Sequence, residues 1–149
     1  MDKSRLSGYP AENQRRKDCI IKGGENTMTG YVYVGFQNKR TKHGTFKIGE
    51  TGRTPHIREG EIQRNECYKM VDWVKIPKAN KSTLLLIESV MRFELEKYAE
   101  FTHTGNDHFK YEITDRLTDI ERIRQIAISI AIKACEQYGI EYEYNEKAD

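Results

Sequence analysis

The sequence predicts an α/β domain of the α+β kind, a small antiparallel three-stranded sheet flanked by helices, with an extra helix at the C-terminal end. Three observations carry that expectation. Tyr31–Phe36 and Thr45–Glu50 alternate apolar and polar side chains around a short polar connection, as a hairpin does. Two later segments, 82–101 and 118–138, repeat apolar residues at helical spacings of three and four. The chain has 149 residues, 37% hydrophobic and 32% charged, with a mean hydropathy of -0.80, which suits one compact domain.

Taken in order, residues 1–29 hold Gly8, Pro10, Gly23 and Gly24 around one short apolar cluster, Cys19–Ile20–Ile21, and read as a mobile basic arm. In the first strand Val32, Val34 and Phe36 share one face, and Tyr31 and Tyr33 the other. A basic loop, Gln37–Gly44, leads to the second strand, where Phe46 and Ile48 oppose Lys47 and Gly49. If the apolar set faces inward, Tyr31, Tyr33 and Lys47 share the outer face. Thr54 and Pro55 then read as the N-cap and first turn of a helix running from His56 to Arg64, weakened by Gly60. Tyr68–Ile76 reads as a third strand closed by Pro77.

The helix over 82–101 carries Leu84, Met91, Leu95 and Tyr98 on one stripe, and Glu88 falls inside that stripe. Residues 101–109 read as a loop leading to a short extended piece, Phe109–Ile113. The last helix presents Ile120, Ile123, Ala127, Ile130, Ala131 and Ala134, with Gly139 as its left-handed terminator. The expected division is therefore an arm over 1–29, a core over 30–113, and a C-terminal helix and tail over 114–149 packed on the core.

Several function classes find no support. The longest apolar runs, such as Leu84–Ile87, fall far below the about 18 residues of a membrane span, and no apolar stretch follows the basic N-terminus, so the expectation is a cytoplasmic protein. Cys19, Cys67 and Cys135 are odd in number and widely spaced, unlike a disulfide framework or a paired zinc motif. Gly49 and Gly52 lack the remainder of a phosphate loop, and no zinc-protease, serine-hydrolase or dinucleotide motif occurs. Residues 1–63 hold 12 Lys and Arg against 7 Asp and Glu, leaving 13 against 16 behind. That imbalance is compatible with a phosphate-bearing partner.

What remains is Tyr33, Lys47, Arg58, Glu88 and the Asn106–His108 loop. Tyr31–Val32–Tyr33, a short basic loop, Lys47–Ile48–Gly49, Arg58 in the next helix and Glu88 in a later one resemble, in order and spacing, the GIY-YIG nuclease superfamily. The likeness is closest to the subgroup of phages and meiotically up-regulated fungal proteins, whose second motif commonly reads K-I-G before a Thr-rich turn, here Phe46–Thr51. Asp107–His108–Phe109 is similar to that subgroup's late Glu-Trp-Phe-like triplet. The resemblance spans about residues 30–113. It implies that Tyr33 activates or positions the attacking water, that Arg58 contacts the scissile phosphate, and that Glu88 binds a single divalent metal. Lys47 stands where the second-motif Tyr would be, and Tyr31–Val32 where the first-motif Gly-Ile would be.

Phosphodiester hydrolysis requires a deprotonated water, counter-charge for the pentavalent state and protonation of the leaving oxygen. One Glu with several waters suits Mg²⁺ or Mn²⁺. Arg58 adds a planar fork of donors for phosphate oxygens. A phenol with its pKa near 10 is a poor base at neutral pH, and Lys47 on the same face would favour the phenolate. Tyr31, Lys39, Arg40, Lys42, Arg53, His56, Asn106 and His108 complete the set of candidate nucleic-acid contacts, with Arg53 and His56 at a helix start that attracts anions.

Bland readings stand beside these: Tyr33 and Trp73 as packing residues, Glu88 paired with Arg92 one turn on, Arg58 as a solvated helix residue, and Lys47 as an edge-strand gatekeeper. The expected function is a metal-dependent endonuclease, with DNA ahead of RNA through the resemblance alone. The alternative is a nucleic-acid-binding module of the same fold without effective catalysis. The arm and the C-terminal helix are the candidates for setting target choice or forming a homodimer.

Overall fold

The computed structural model describes residues 27–37, 43–66, 68–105 and 107–145. Eight elements follow in order: β1 (Met28–Gln37), β2 (His43–Thr51), α1 (Pro55–Glu66), β3 (Tyr68–Ala79), α2 (Lys81–Glu96), β4 (Thr102–Gly105), β5 (His108–Glu112) and α3 (Arg116–Gln137). The class is α+β, but the sheet has five strands in the order β3-β1-β2-β5-β4, not three, and every neighbouring pair is antiparallel.

The two additional strands come from the region read as a loop and a short extended piece. Thr102–Gly105 is exposed at every position, so it has no apolar alternation to betray it. It is a strand because its backbone pairs with β5 at the sheet edge. β3 also runs past Pro77 to Ala79. Proline is tolerated there because β3 is the opposite edge of the sheet, where a missing donor breaks no second ladder.

The two faces are built differently. Val32, Val34, Phe36, Phe46, Ile48, Val74 and Ile76 meet Leu84, Ile87, Met91 and Leu95 of α2 and Ile123, Ala127, Ala131 and Ala134 of α3 in the main core. Each fully buried Leu, Ile or Met there contributes roughly 1.5–3 kcal/mol. Phe46 anchors the far half of the sheet, stacked on Phe109 at 5.1 Å and edge-on to Phe101 at 5.1 Å. On the other face a smaller cluster, Tyr33, Ile62, Tyr68 and Met70, docks α1.

The helix ends follow local chemistry. Thr54 opens α1, its carbonyl accepting from Arg58 N at 3.0 Å. Asn80, one position before α2, accepts from Thr83 N at 2.9 Å and is the true N-cap. α2 stops at Glu96, so Tyr98 lies beyond it and stacks on Phe101 at 5.4 Å. α3 begins at Arg116 and ends before Gly139, which takes the left-handed conformation at φ +67.

The tail after α3 returns to the free edge of β3. Glu143 exchanges backbone hydrogen bonds with Lys75 at 2.8 and 2.9 Å. The Tyr144 hydroxyl and Arg124 Nη1 both donate to Asp72 Oδ2 at 2.7 Å, giving buried Asp72 its counter-charge. Burial and the neighbouring Asp72 push the Tyr144 phenol up to about 12. No helix among the described residues is long and apolar enough to cross a membrane.

Candidate active site

The face opposite the main core carries the candidate residues. Tyr33 on β1 lies across from Gly49 of β2 and Trp73 of β3. A Cβ built on Gly49 would come within 2.5 Å of Tyr33 Cζ, so the phenol lies directly over the glycine of the Lys47–Ile48–Gly49 motif. Tyr33 is 1% exposed.

α1 brings Arg58 to this phenol. Ile62, buried against Tyr33, Tyr68 and Met70, fixes the helix face, and Arg58 lies one turn earlier on the same side. Arg58 Nε donates to Tyr33 Oη at 3.2 Å, and its Nη1 donates to Glu61 Oε1 at 3.2 Å. Glu61 also holds Arg53 Nη1 at 2.9 Å. One carboxylate thus pairs with two guanidinium groups, of which Arg58 lies against the phenol.

Lys47 is 3% exposed, with its ammonium 5.9 Å from the Tyr68 ring centre and 3.8 Å from Asp107 Oδ2. Asp107 forms the turn between β4 and β5, where its carbonyl accepts from Ile48 N at 3.0 Å. Its other carboxylate oxygen is 3.0 Å from His108 Nδ1, and the His108 ring meets Tyr68 edge-on at 5.3 Å.

Glu88 enters from α2. With Arg92, His103 and Asp107 it lines an open cleft of about 460 Å³. No hydrogen bond or ion pair joins it to Arg92, so the intrahelical pairing weighed from sequence is not formed. Burial pushes the Glu88 carboxyl up, and the negative charges of Asp107 and Glu50 add to that, outweighing Arg92 and Lys81. Glu50 on β2 is paired through Oε2 with Lys81 at 2.5 Å, while its buried Oε1 has no hydrogen-bond partner among the described residues.

The expectation that Lys47 lowers the Tyr33 pKa is right in sign and wrong in outcome. Burial raises the phenol above 10, and the charges of Lys47 and Arg58 reduce that rise without reversing it. Tyr33 is therefore protonated at neutral pH, because removing a side chain from water penalises its charged form more than two nearby cations reward it.

Tyr33, Lys47 and Arg58 are brought together on one face. Glu88 is coupled to them through Asp107, whose charge acts on both Tyr33 and Glu88. Tyr31 is half-buried two residues before Tyr33 on the same face, and His108 joins through Asp107. Arg53, with its side chain 63% exposed, and exposed His56 flank the start of α1. Lys39, Arg40, Lys42 and Asn106 lie outside the described residues, as do Cys19 and Cys67; of the arm expected over 1–29, residues 1–26 lie outside them, while Met28 and Thr29 belong to β1.

Glu50, Glu61 and Tyr68 join the candidate site without being singled out by the sequence, and Asp107 was seen there only as part of a loop and a triplet. Asp107 had a signal, its place in the triplet with His108 and Phe109. Glu61 had a weaker one, three residues after Arg58 on the same helix. Among the described residues no three His, Cys, Asp or Glu side chains converge as a multi-ligand metal centre. A hydrated Mg²⁺ or Mn²⁺ needs fewer protein ligands; among the described residues Glu88 has no salt bridge and the buried Glu50 Oε1 no hydrogen-bond partner, and the charge of Glu50 acts on Glu88.

Comparison with protein-family models, with curated proteins and with solved structures finds no match to this chain.

Proposed function

We propose that the protein is a divalent-metal-dependent endonuclease that hydrolyses phosphodiester bonds, acting in the cytoplasm with DNA as the favoured substrate. The observation that carries this reading is the Tyr33–Arg58 hydrogen bond on a face that also holds Lys47, with the unpaired Glu88 carboxylate coupled to it through Asp107. The preference for DNA over RNA rests on the family resemblance alone.

Arg58 and Lys47 supply positive charge for the phosphate oxygens. Tyr33 orients the attacking water through its hydroxyl, which the Arg58 hydrogen bond fixes in direction. Glu88, with Glu50 beside it in charge, would hold the cation. Bound there, a divalent ion supplies Lewis-acid stabilisation of charge on phosphorus and a more acidic water.

Two observations favour the second reading, a binding module without effective catalysis. The raised phenol of Tyr33 stays protonated at neutral pH and offers little phenolate to act as a base, and Arg53 and Arg58 are already engaged by Glu61. The deciding experiment incubates labelled single- and double-stranded DNA and RNA with the protein, in Mg²⁺, Mn²⁺ or EDTA, beside Glu88→Ala. Metal-dependent cleavage lost in the variant supports the nuclease and identifies its polymer. Salt-sensitive binding without cleavage in either protein supports the module, and no salt-sensitive binding rejects both.

A further inference from the structure

His108 opens β5 directly opposite Lys47, so the two side chains share the face that carries Tyr33. In the strand order β1-β2-β5, Lys47 stands on the strand between Tyr33 and His108, which are two strand spacings apart, roughly 10 Å. The imidazole is fixed on two sides. Asp107 Oδ1 lies 3.0 Å from Nδ1, and the Tyr68 ring meets it at 61°. Asp107 is itself held by the Ile48 amide and by Lys47. The His108 side chain is 31% exposed where that of Lys47 is 4%, so solvent reaches the imidazole and not the ammonium.

A carboxylate on one ring nitrogen sets the tautomer and orientation of an imidazole. In-line displacement at phosphorus places the attacking and leaving oxygens on opposite sides. A phosphate that enters from the exposed His108 side, drawn by the charge of the buried Lys47, presents its leaving oxygen to β5.

We infer that His108, oriented by Asp107, is the general acid that protonates the leaving ester oxygen; this rests on the nuclease reading above. The water oxygen forms the new bond to phosphorus as the ester P–O bond breaks. The departing oxygen keeps that electron pair and takes the proton from Nε2 of the imidazolium. A hydroxyl and a phosphate monoester result, the attacking water releases its proton to solvent, and His108 is reprotonated from solvent.

The test uses the full chain and His108→Gln, which keeps side-chain bulk and polarity but cannot transfer the proton. Both act in Mn²⁺ on a DNA strand with one normal ester, or with sulfur replacing the 3′ or the 5′ bridging oxygen. A thiolate leaves without protonation. The expected result is a loss of about 100-fold or more on the oxygen ester, with a rate within a few-fold of wild type on the substrate whose leaving atom is sulfur. Equal losses on all three substrates, or no loss on the oxygen ester, overturn the assignment. If the wild-type protein cleaves none of them, the nuclease reading fails and this role falls with it. A matching thermal melt of the two proteins excludes unfolding as the cause of any loss.

Discussion

The Arg58 guanidinium donates to the Tyr33 hydroxyl at 3.2 Å and lies 5.9 Å from the centre of the same ring, so one cation both orients the phenol and opposes the effect of its burial. Because burial still raises the phenol above 10, the phenolate fraction grows only as pH climbs through and beyond that value. Lys47→Met removes the largest of the lowering charges. The alkaline limb set by Tyr33 ionisation should therefore move to higher pH, while at pH 8 the phenol stays protonated in both proteins. Tyr33→Phe should lose about 100-fold at every pH while binding persists. An unchanged profile in Lys47→Met would disprove the coupling.

Glu88 gives a prediction about stability as well as activity. Burial, Asp107 and Glu50 raise its carboxyl, so the ionised form is disfavoured in the folded protein. The associated stability is complete below the unfolded value of about 4.3 and is lost as pH rises through the higher folded value. At pH 7 without metal, Glu88→Gln should melt no lower than wild type. A divalent cation should raise the wild-type Tm and leave the variant's unchanged, since binding at 100 times Kd adds about 2.7 kcal/mol. Equal shifts in both proteins in differential scanning fluorimetry would place the cation elsewhere.

Period-two alternation made β1 and β2 legible, because aliphatic and Phe side chains line one face of each while the other, also buried, carries Tyr33 and Lys47. The same logic could not find β4, whose four residues are all exposed and whose existence depends on backbone pairing with β5. Pro77 misled in the opposite direction, since only the sheet order reveals that β3 is an edge. In the site, Tyr33, Lys47 and Arg58 could be named from order and spacing. The consequence of burial for the Tyr33 phenol could not, because it depends on Ile62, Tyr68 and Met70 closing around it from other elements. Asp107 was visible as a triplet member, but its pairing with Lys47 requires β2 and β5 to be neighbours.

Gly49 tests whether the motif glycine serves the phenol. A Cβ at that position meets the Tyr33 ring at 2.5 Å from Cζ, and the ring is hemmed in by Ile62. Gly49→Ala should push the ring off its place, break the Arg58 hydrogen bond and cost about 1–3 kcal/mol. Gly52→Ala, where the nearest atoms belong to the flexible end of the Met28 side chain, should be much milder. Chemical denaturation of the two variants checks the contrast, and equal losses would remove the packing argument.

Asp119 links the end of β5 to α3. Its carboxylate is 2% exposed and accepts from Thr114 N at 2.8 Å, Thr114 Oγ1 at 2.7 Å and Asp115 N at 3.2 Å. Burial pushes the carboxyl up, but the hydrogen bonds from Thr114 and Asp115 and the charge of Arg122 together pull it below the usual range. For a depressed carboxyl the stabilisation is present above the unfolded value of about 3.9 and disappears as pH falls through the lower folded value. Asp119→Ala should cost about 1–3 kcal/mol at pH 7, through the loss of the acceptor for buried donors. The difference from wild type should shrink as the pH is taken from 5 towards 2, because protonation then weakens the same bonds in the wild-type protein. Urea unfolding at pH 7 and pH 3 measures it, and a pH-independent difference would mean that Asp119 acts through packing rather than charge.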